Sequence, residues 1–332
     1  MILATVSGNI DALVSDGVSL YWLDGSAGTL SVVPVAGGAT QVLATFAPLW
    51  TGPCGGLAGT STLDCRTFSL AVDAANVYAA GPLGIVSVPK TGGAPRSLVT
   101  LDGKSEYVLG PLLAGGGALF WPQMEVMTDP DENELAAHIA KLDLSSGTPE
   151  TFLDASQQIA TASILAADAT NLYWLGSGDV PGTGGIRATP LAGGLTTTVV
   201  SSASLAVAGM AVVGDQLTWV NQEELGGCVC PGPHPQQPEM VETAPLAGGA
   251  STSLITYDID TDPFVSVLGD AHFAYVVQQG DSTSASLVAV PPAGGTPTTL
   301  VASAAIDVAT LDSCSIYFSS GSTVQRVAKP AP

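Results

Sequence analysis

Residues 163–176 read SILAADATNLYWLG, and residues 185–202 read GIRATPLAGGLTTTVVSS. The stretch divides into an apolar strand, a polar turn, an aromatic strand, a connection, a third strand, a Pro/Gly turn and a fourth strand. The unit recurs along the chain. Its aromatic strand returns as SLYWLDG (19–25), NVYAAG (76–81), ALFWPQ (118–123), QLTWVN (216–221), HFAYVV (272–277) and SIYFSS (315–320). Its Gly turn returns as PVAGG (34–38), PKTGG (89–93), LSSG (144–147), a second PLAGG (245–249) and PPAGG (291–295). The aromatic position advances from 21 to 317 in six steps, about 49 residues each.

Four short strands per unit and a period near 50 predict a β-propeller blade, whereas the coils of a parallel β-helix are much shorter. Gly-Gly suits the tight turn between the third and fourth strands, because glycine takes positive φ without a Cβ clash. An aspartate marks the turn between the first two strands in VSDG, AVDAAN, AADATN, VVGDQ, LGDAH and TLDS. Its side chain can bond the backbone two residues on, which makes these acids structural. The last repeat lacks a fourth strand, and ILATV (2–6) matches VLATF (42–46), the fourth strand of the first repeat. The N-terminal strand is therefore expected to complete the last blade and leave no sheet edge at the seam.

The expectation is an all-β single domain over 1–332, a propeller of seven four-stranded antiparallel blades. Residues 1–7 close blade 7, and blades 1 to 7 span 8–46, 66–101, 106–154, 161–202, 207–257, 263–303 and 304–330. The pattern resembles the YWTD/TolB/NHL-like group of bacterial secreted propellers, in particular those with a repeat of the form DxxxLYWxxxGxIxxxPxxGG. That resemblance covers nearly the whole chain and implies a fold, not an activity, since this fold serves hydrolases, lyases, receptors and scaffolds.

The 332 residues carry 29 acidic and 8 basic side chains, a formal charge of −21. Nucleic acid and anionic membrane surfaces are poor partners for such a chain; cations and basic surfaces fit. No apolar run is long enough to span a bilayer. The N-terminus, MILATVSGNID, has no signal-peptide pattern. Cys54 and Cys65 bracket CGGLAGTSTLDC, where a disulfide would staple an insertion with little core of its own. Cys228 and Cys230 offer a second, strained bridge, or with His234 an incomplete zinc set; Cys314 is expected to be a buried thiol. The cysteines point to an extracellular or cell-envelope protein whose leader has been removed.

In a blade of this kind the turns between strands one and two and strands three and four lie at one end; the remaining connections lie at the other. The first set is short and uniform here. The second set varies in length at 44–66, 122–138, 176–185, 220–240 and 256–264, and is the candidate functional end. In DPDENE (129–134), Asp129, Asp131 and Glu134 have the alternate oxygen ligands that Ca²⁺ accepts, without the spacing of an EF-hand. Asp258, Asp260 and Asp262 alternate in DIDTDP as a second candidate cation site, and Asp11 and Asp307, at matching places at the starts of blades 1 and 7, are candidates to bind a metal at the tunnel mouth or to share a proton. Trp50, Asp131, Glu132 and Asp260 are candidate partner contacts. No G-x-S-x-G elbow, Walker loop or H-E-x-x-H occurs. The leading expectation is an exported, non-enzymatic propeller that binds a protein or glycan through its acidic long-loop face. The alternatives are an assembly subunit of an extracellular oligomer or fibre, with Trp50 as a contact, and a Ca-dependent hydrolase or lactonase, for which Glu106 is a further candidate.

Overall fold

A computed structural model of the chain describes residues 1–49, 67–102, 106–108, 110–128, 133–160, 165–177, 184–202, 205, 207–221, 239–257, 264–279 and 285–331. Apart from one short 3-10 turn at Ala155–Gln157, its regular structure is all β. Seven antiparallel sheets follow one another along the sequence, each with its strands in sequential order. The last has three strands of its own, Ala309–Leu311, Ser315–Ser320 and Thr323–Ala328, and takes Ile2–Thr5 as its fourth. Ile2 pairs with Gln325, Ala4 with Val324 and Thr5 with Thr323, so the N-terminal strand completes blade 7 as the match between ILATV and VLATF predicts.

The chain divides into two compact units. One is Met1–Leu165 with Asp307–Ala328, which holds blades 7, 1, 2 and 3; the other is Ala166–Ile306 with Lys329–Pro332, which holds blades 4, 5 and 6. In the first unit the aromatic strand of each blade is buried on both faces. Tyr21, Leu23 and Leu30 of blade 1 pack against Leu70, Val77 and Ala79 of blade 2. The alternate residues Leu20, Trp22 and Val33 pack against Tyr317 and Val324 of blade 7. Period-two alternation sends neighbours to opposite faces, so a strand sandwiched between two blades must be apolar at every position, which is why LYW is a run and not an alternation. In the second unit Val213, Val220 and Val241 of blade 5 meet Val267, Val276 and Val288 of blade 6 in the same way.

The repeated PxxGG has a definite job. In each of the five copies the first glycine donates its N–H to the proline carbonyl three residues back, at 2.8–3.0 Å. Both glycines then take positive φ, for example 84° and 131° at Gly193 and Gly194. The second glycine lies against the proline ring, where a Cβ would stand 3.6–4.0 Å from it. The turn thus specifies all three residues. Beyond it every outer strand pairs through a β-bulge, such as Leu30/Ser31 in blade 1 and Ile186/Arg187 in blade 4. The bulge adds twist to the exposed edge and discourages edge-to-edge pairing.

One expected loop is a hairpin. In blade 3 the second strand runs Ala118–Thr128 and the third Asn133–Asp143, in continuous register from Ala118↔Asp143 to Thr128↔Asn133. Most of 122–138, read from the sequence as a connection, is therefore sheet. Pro122 is tolerated inside this central strand, opposite Ile139, although proline argues against such a place.

Candidate functional site

The short-turn end of the blades is held by one repeated device. In five blades an aspartate accepts the N–H groups two and three residues on through Oδ1, and the tyrosine hydroxyl five residues on through Oδ2. The Tyr–Asp distances are 3.1 Å for Tyr21–Asp16 and 2.6 Å for Tyr78–Asp73, Tyr173–Asp168 and Tyr317–Asp312, with 2.8 Å for Tyr275–Asp270. Two lysines at equivalent places, just after the third strands of blades 2 and 7, add a charge: Lys90 Nζ is 2.8 Å from Asp16, and Lys329 Nζ is 2.8 Å from Asp270. Lys329 also lies over the Tyr275 ring at 5.4 Å.

The electrostatics follow. Burial works against the Asp270 carboxylate, but the Lys329 ammonium, the His272 and Phe273 amides and the Tyr275 hydroxyl outweigh it and hold its pKa down to about 2. Asp16, Asp73 and Asp168 are lowered too, burial again being outweighed by their hydrogen bonds. Burial and then the facing carboxylate push Tyr21, Tyr78 and Tyr317 up to about 12. These shifts keep the aspartates ionised and the tyrosines protonated around neutral pH.

Blades 3 and 5 lack the device, and each lacks both halves of it. Gly115 and Phe120 stand where Asp and Tyr would in blade 3, and Val213 and Thr218 in blade 5. Phe120 packs edge-on against Phe152 at 5.1 Å, and Thr218 bonds the Thr243 hydroxyl at 3.1 Å. The turn is set by glycine backbone instead, with positive φ at Gly116, Gly117 and Gly214. Asp215 in VVGDQ is thus not one of the turn aspartates that the sequence pattern suggests: its Oδ1 accepts from Gln216 Nε2 at 3.1 Å.

At the opposite, long-connection end of blade 3 the structure collects ionisable groups. The first strand is split into Glu106–Val108 and Leu113–Gly115, both paired with the long second strand. Glu106 sits directly opposite Glu125, and Gln123 opposite His138, so all four share one face. His138 Nδ1 lies 3.8 Å from Glu125 Oε1. The Glu106 amide is held by the Asp102 carboxylate at 3.1 Å, and the Trp121 indole donates to Gln123 Oε1 at 3.2 Å. The reverse face is dry, with Tyr107, Met124, Ala137 and Ile139 buried. Burial lowers the His138 pKa, and Glu125 and Glu106 work in the other direction. Glu125 is about half exposed while His138 is mostly covered, at 46% and 12% of the side chain. The face offers two adjacent carboxylates to a positively charged group, with a neutral imidazole beside them.

Of the residues picked from sequence, Asp11 and Asp307 are described. Asp11 Oδ2 accepts the Gly25 N–H at 2.8 Å within its own blade, which fixes the connection between strands two and three. Asp307 is exposed, its amide bonded to Ser319 O at 3.3 Å. Their strands pack side by side, as expected for blades 1 and 7. Glu134 lies in the third strand of blade 3, its side chain undescribed. Trp50, Cys54, Cys65, Asp129, Asp131, Glu132, Cys228, Cys230, Asp258, Asp260 and Asp262 lie outside the described residues. Among the described residues no three His, Cys, Asp or Glu side chains converge as a metal site. Cys314 is a free thiol, but exposed where burial was expected. It occupies the turn position whose amide bonds Asp312 Oδ1, so its side chain points away from the core. Glu125 and Gln123 were missed from sequence because the aromatic strand was read as ending at Gln123, whereas it runs on to Thr128 and alternates both residues onto one face.

No protein-family model matches the sequence, and no curated protein does. Solved structures do. Oligogalacturonate lyase in complex with manganese aligns with a TM-score of 0.63 at 11% identity, over 98% of this chain and 90% of that one. An inactive virginiamycin B lyase from Staphylococcus aureus with quinupristin aligns at 0.58 and 12%, over 99% and 98%. Puromycin hydrolase aligns at 0.60 and 14%, over 99% of this chain and 55% of that one. The chain is a seven-bladed β-propeller. At these identities the likeness is one of fold; two lyases and a hydrolase on the same scaffold carry no common chemistry to this chain.

Proposed function

We propose that this protein is an exported binding propeller, without catalytic activity, whose long-connection end engages a cationic patch on a protein or glycan. The observation that carries the reading is the Glu106–Glu125 pair, two acidic residues opposite each other on neighbouring strands, with the His138 imidazole 3.8 Å from Glu125 Oε1. Like charges in that arrangement are unfavourable until a positive group joins them. The formal charge of −21 would steer such a partner to the surface. Export rests on the Cys54/Cys65 spacing.

Calorimetric titration with a deca-lysine peptide and with chitosan oligomers tests it. Glu106→Gln with Glu125→Gln should weaken binding more than tenfold. Removing the same charge elsewhere, by Glu150→Gln with Asp215→Asn, should change it less than twofold. Equal losses in the two variants would reduce the interaction to net charge and refute the site.

A second reading, hydrolysis assisted by a cation such as Ca²⁺, is favoured by a single observation. His138 is held neutral beside Glu125, as a general base must be. Turnover of ester or lactone substrates that is lost on His138→Gln would support it over simple binding. The assembly reading predicts a defined oligomer by mass measurement in solution.

A further inference from the structure

Among the described residues of blade 5 two buried polar atoms have no hydrogen-bond partner, the Trp219 indole Nε1 and the Asn221 Oδ1. One is a donor and the other an acceptor. They sit two residues apart on one strand, Gln216–Asn221, and so project to the same face. Buried polar groups are satisfied in nearly all native structures, and an unmet pair is expensive.

The other blades show what is missing. In blade 4 the Trp174 indole donates to Thr189 Oγ1 at 3.0 Å. The same register position in blade 5 holds Ala244, opposite Leu217 as Thr189 is opposite Leu172, and alanine has no hydroxyl. In blade 3 the indole of Trp121 reaches the amide oxygen two residues on, at Gln123 Oε1, over 3.2 Å. Blade 5 has an amide at that place too, but Asn221 is one methylene shorter. Its amide nitrogen is also committed to Glu242 Oε2 at 2.9 Å, and Glu242 Oε1 takes the Ser251 hydroxyl at 3.0 Å. The Asn221 amide is therefore held by its nitrogen, with its oxygen free to accept and the indole N–H free to donate.

We infer that blade 5 binds one structural water between Trp219 and Asn221. The water accepts from the indole Nε1–H and donates to Oδ1, which satisfies both atoms with a single small molecule. Trp219 is fully buried, and water is the smallest molecule that can both accept from the indole and donate to the amide oxygen. The water takes the place of the threonine hydroxyl of blade 4 and spans the gap that the longer Gln123 closes in blade 3.

Diffraction from crystals of the full chain, at a resolution that shows ordered water, should reveal one peak within about 2.7–3.2 Å of both atoms. In solution, the Trp219 indole proton should show a cross-relaxation peak to long-lived water. Asn221→Gln should abolish that peak, because the longer side chain can reach the indole directly as Gln123 does, without lowering the unfolding temperature. Trp219→Phe removes the indole donor, and with it one of the two hydrogen bonds that hold the water, so the peak at that position should be lost. An indole donating directly to a protein atom, or a water peak that survives Asn221→Gln, would overturn the assignment.

Discussion

Blades 1, 2, 4, 6 and 7 carry the Asp–Tyr pair; blades 3 and 5 do not, and under the proposed binding role the difference separates holding from working. Where the pair is present, the turn is fixed by a carboxylate that accepts from two amides and a tyrosine of its own blade and, at Asp16 and Asp270, from a lysine. Where it is absent, glycine sets the turn. The other end of each of these two blades is then the one that departs from the repeat, with 11-residue strands and facing glutamates in blade 3 and the unmet indole and amide in blade 5. A regular scaffold makes its exceptions informative, because packing accounts for what repeats and leaves what does not to be explained.

The largest expected effect is at the pair that holds a lysine. Asp270→Ala would strand the Lys329 ammonium, 7% exposed, together with the Tyr275 hydroxyl and two amides. The expected cost is about 3 kcal/mol in urea unfolding. A cost like that of an ordinary surface change would mean that the blades do not depend on the device.

The same group gives a pH signature. Its folded pKa of about 2 lies below the unfolded 3.8, so its stabilisation, about 2 kcal/mol, is present above pH 4 and is lost as pH falls through 2. The tyrosines act in the opposite sense. Raised to about 12, Tyr21, Tyr78 and Tyr317 stabilise fully below pH 10, and that contribution is lost as pH rises through 12. Between pH 4 and 10 these groups should leave stability flat, and unfolding free energies across the range would check the plateau. In Asp270→Asn the acid limb should shrink.

A smaller effect is expected one hydroxyl at a time. Tyr78→Phe should cost about 1 kcal/mol, since it removes one hydrogen bond to a carboxylate that keeps its two amides. Smallest is Glu125→Gln, which relieves the facing charge of Glu106 and should change stability by less than about 0.5 kcal/mol, in the stabilising direction. A clear loss there would make the pair part of the scaffold and erase the contrast between the two ends.

The repeat made the blades, their number and the closing strand readable, because PxxGG and the turn aspartates each demand one backbone geometry. The spacing of Asp and Tyr by five residues was also in plain view, in DGVSLY, DAANVY, DATNLY, DAHFAY and DSCSIY. Its meaning needed coordinates, since a strand tyrosine reads as core until its hydroxyl is seen to turn back on the aspartate. The candidate site was harder. Glu106 was among the candidates, but its meeting with Glu125 and His138 depends on a hairpin that continues past Gln123 into the stretch read as a connection. The orphaned atoms of blade 5 were invisible, because a Thr-to-Ala exchange between repeats looks neutral until the indole it served is found.

Hydrogen-exchange mass spectrometry with and without a saturating deca-lysine peptide tests the division between the two ends most directly. Slowed exchange should be confined to the long-connection end, at Glu106–Val108 and the outer halves of Ala118–Thr128 and Asn133–Asp143. The five turns beginning at Asp16, Asp73, Asp168, Asp270 and Asp312 should be unchanged. Protection that appears at those turns, with none at the blade 3 strands, would contradict the assignment of the working end.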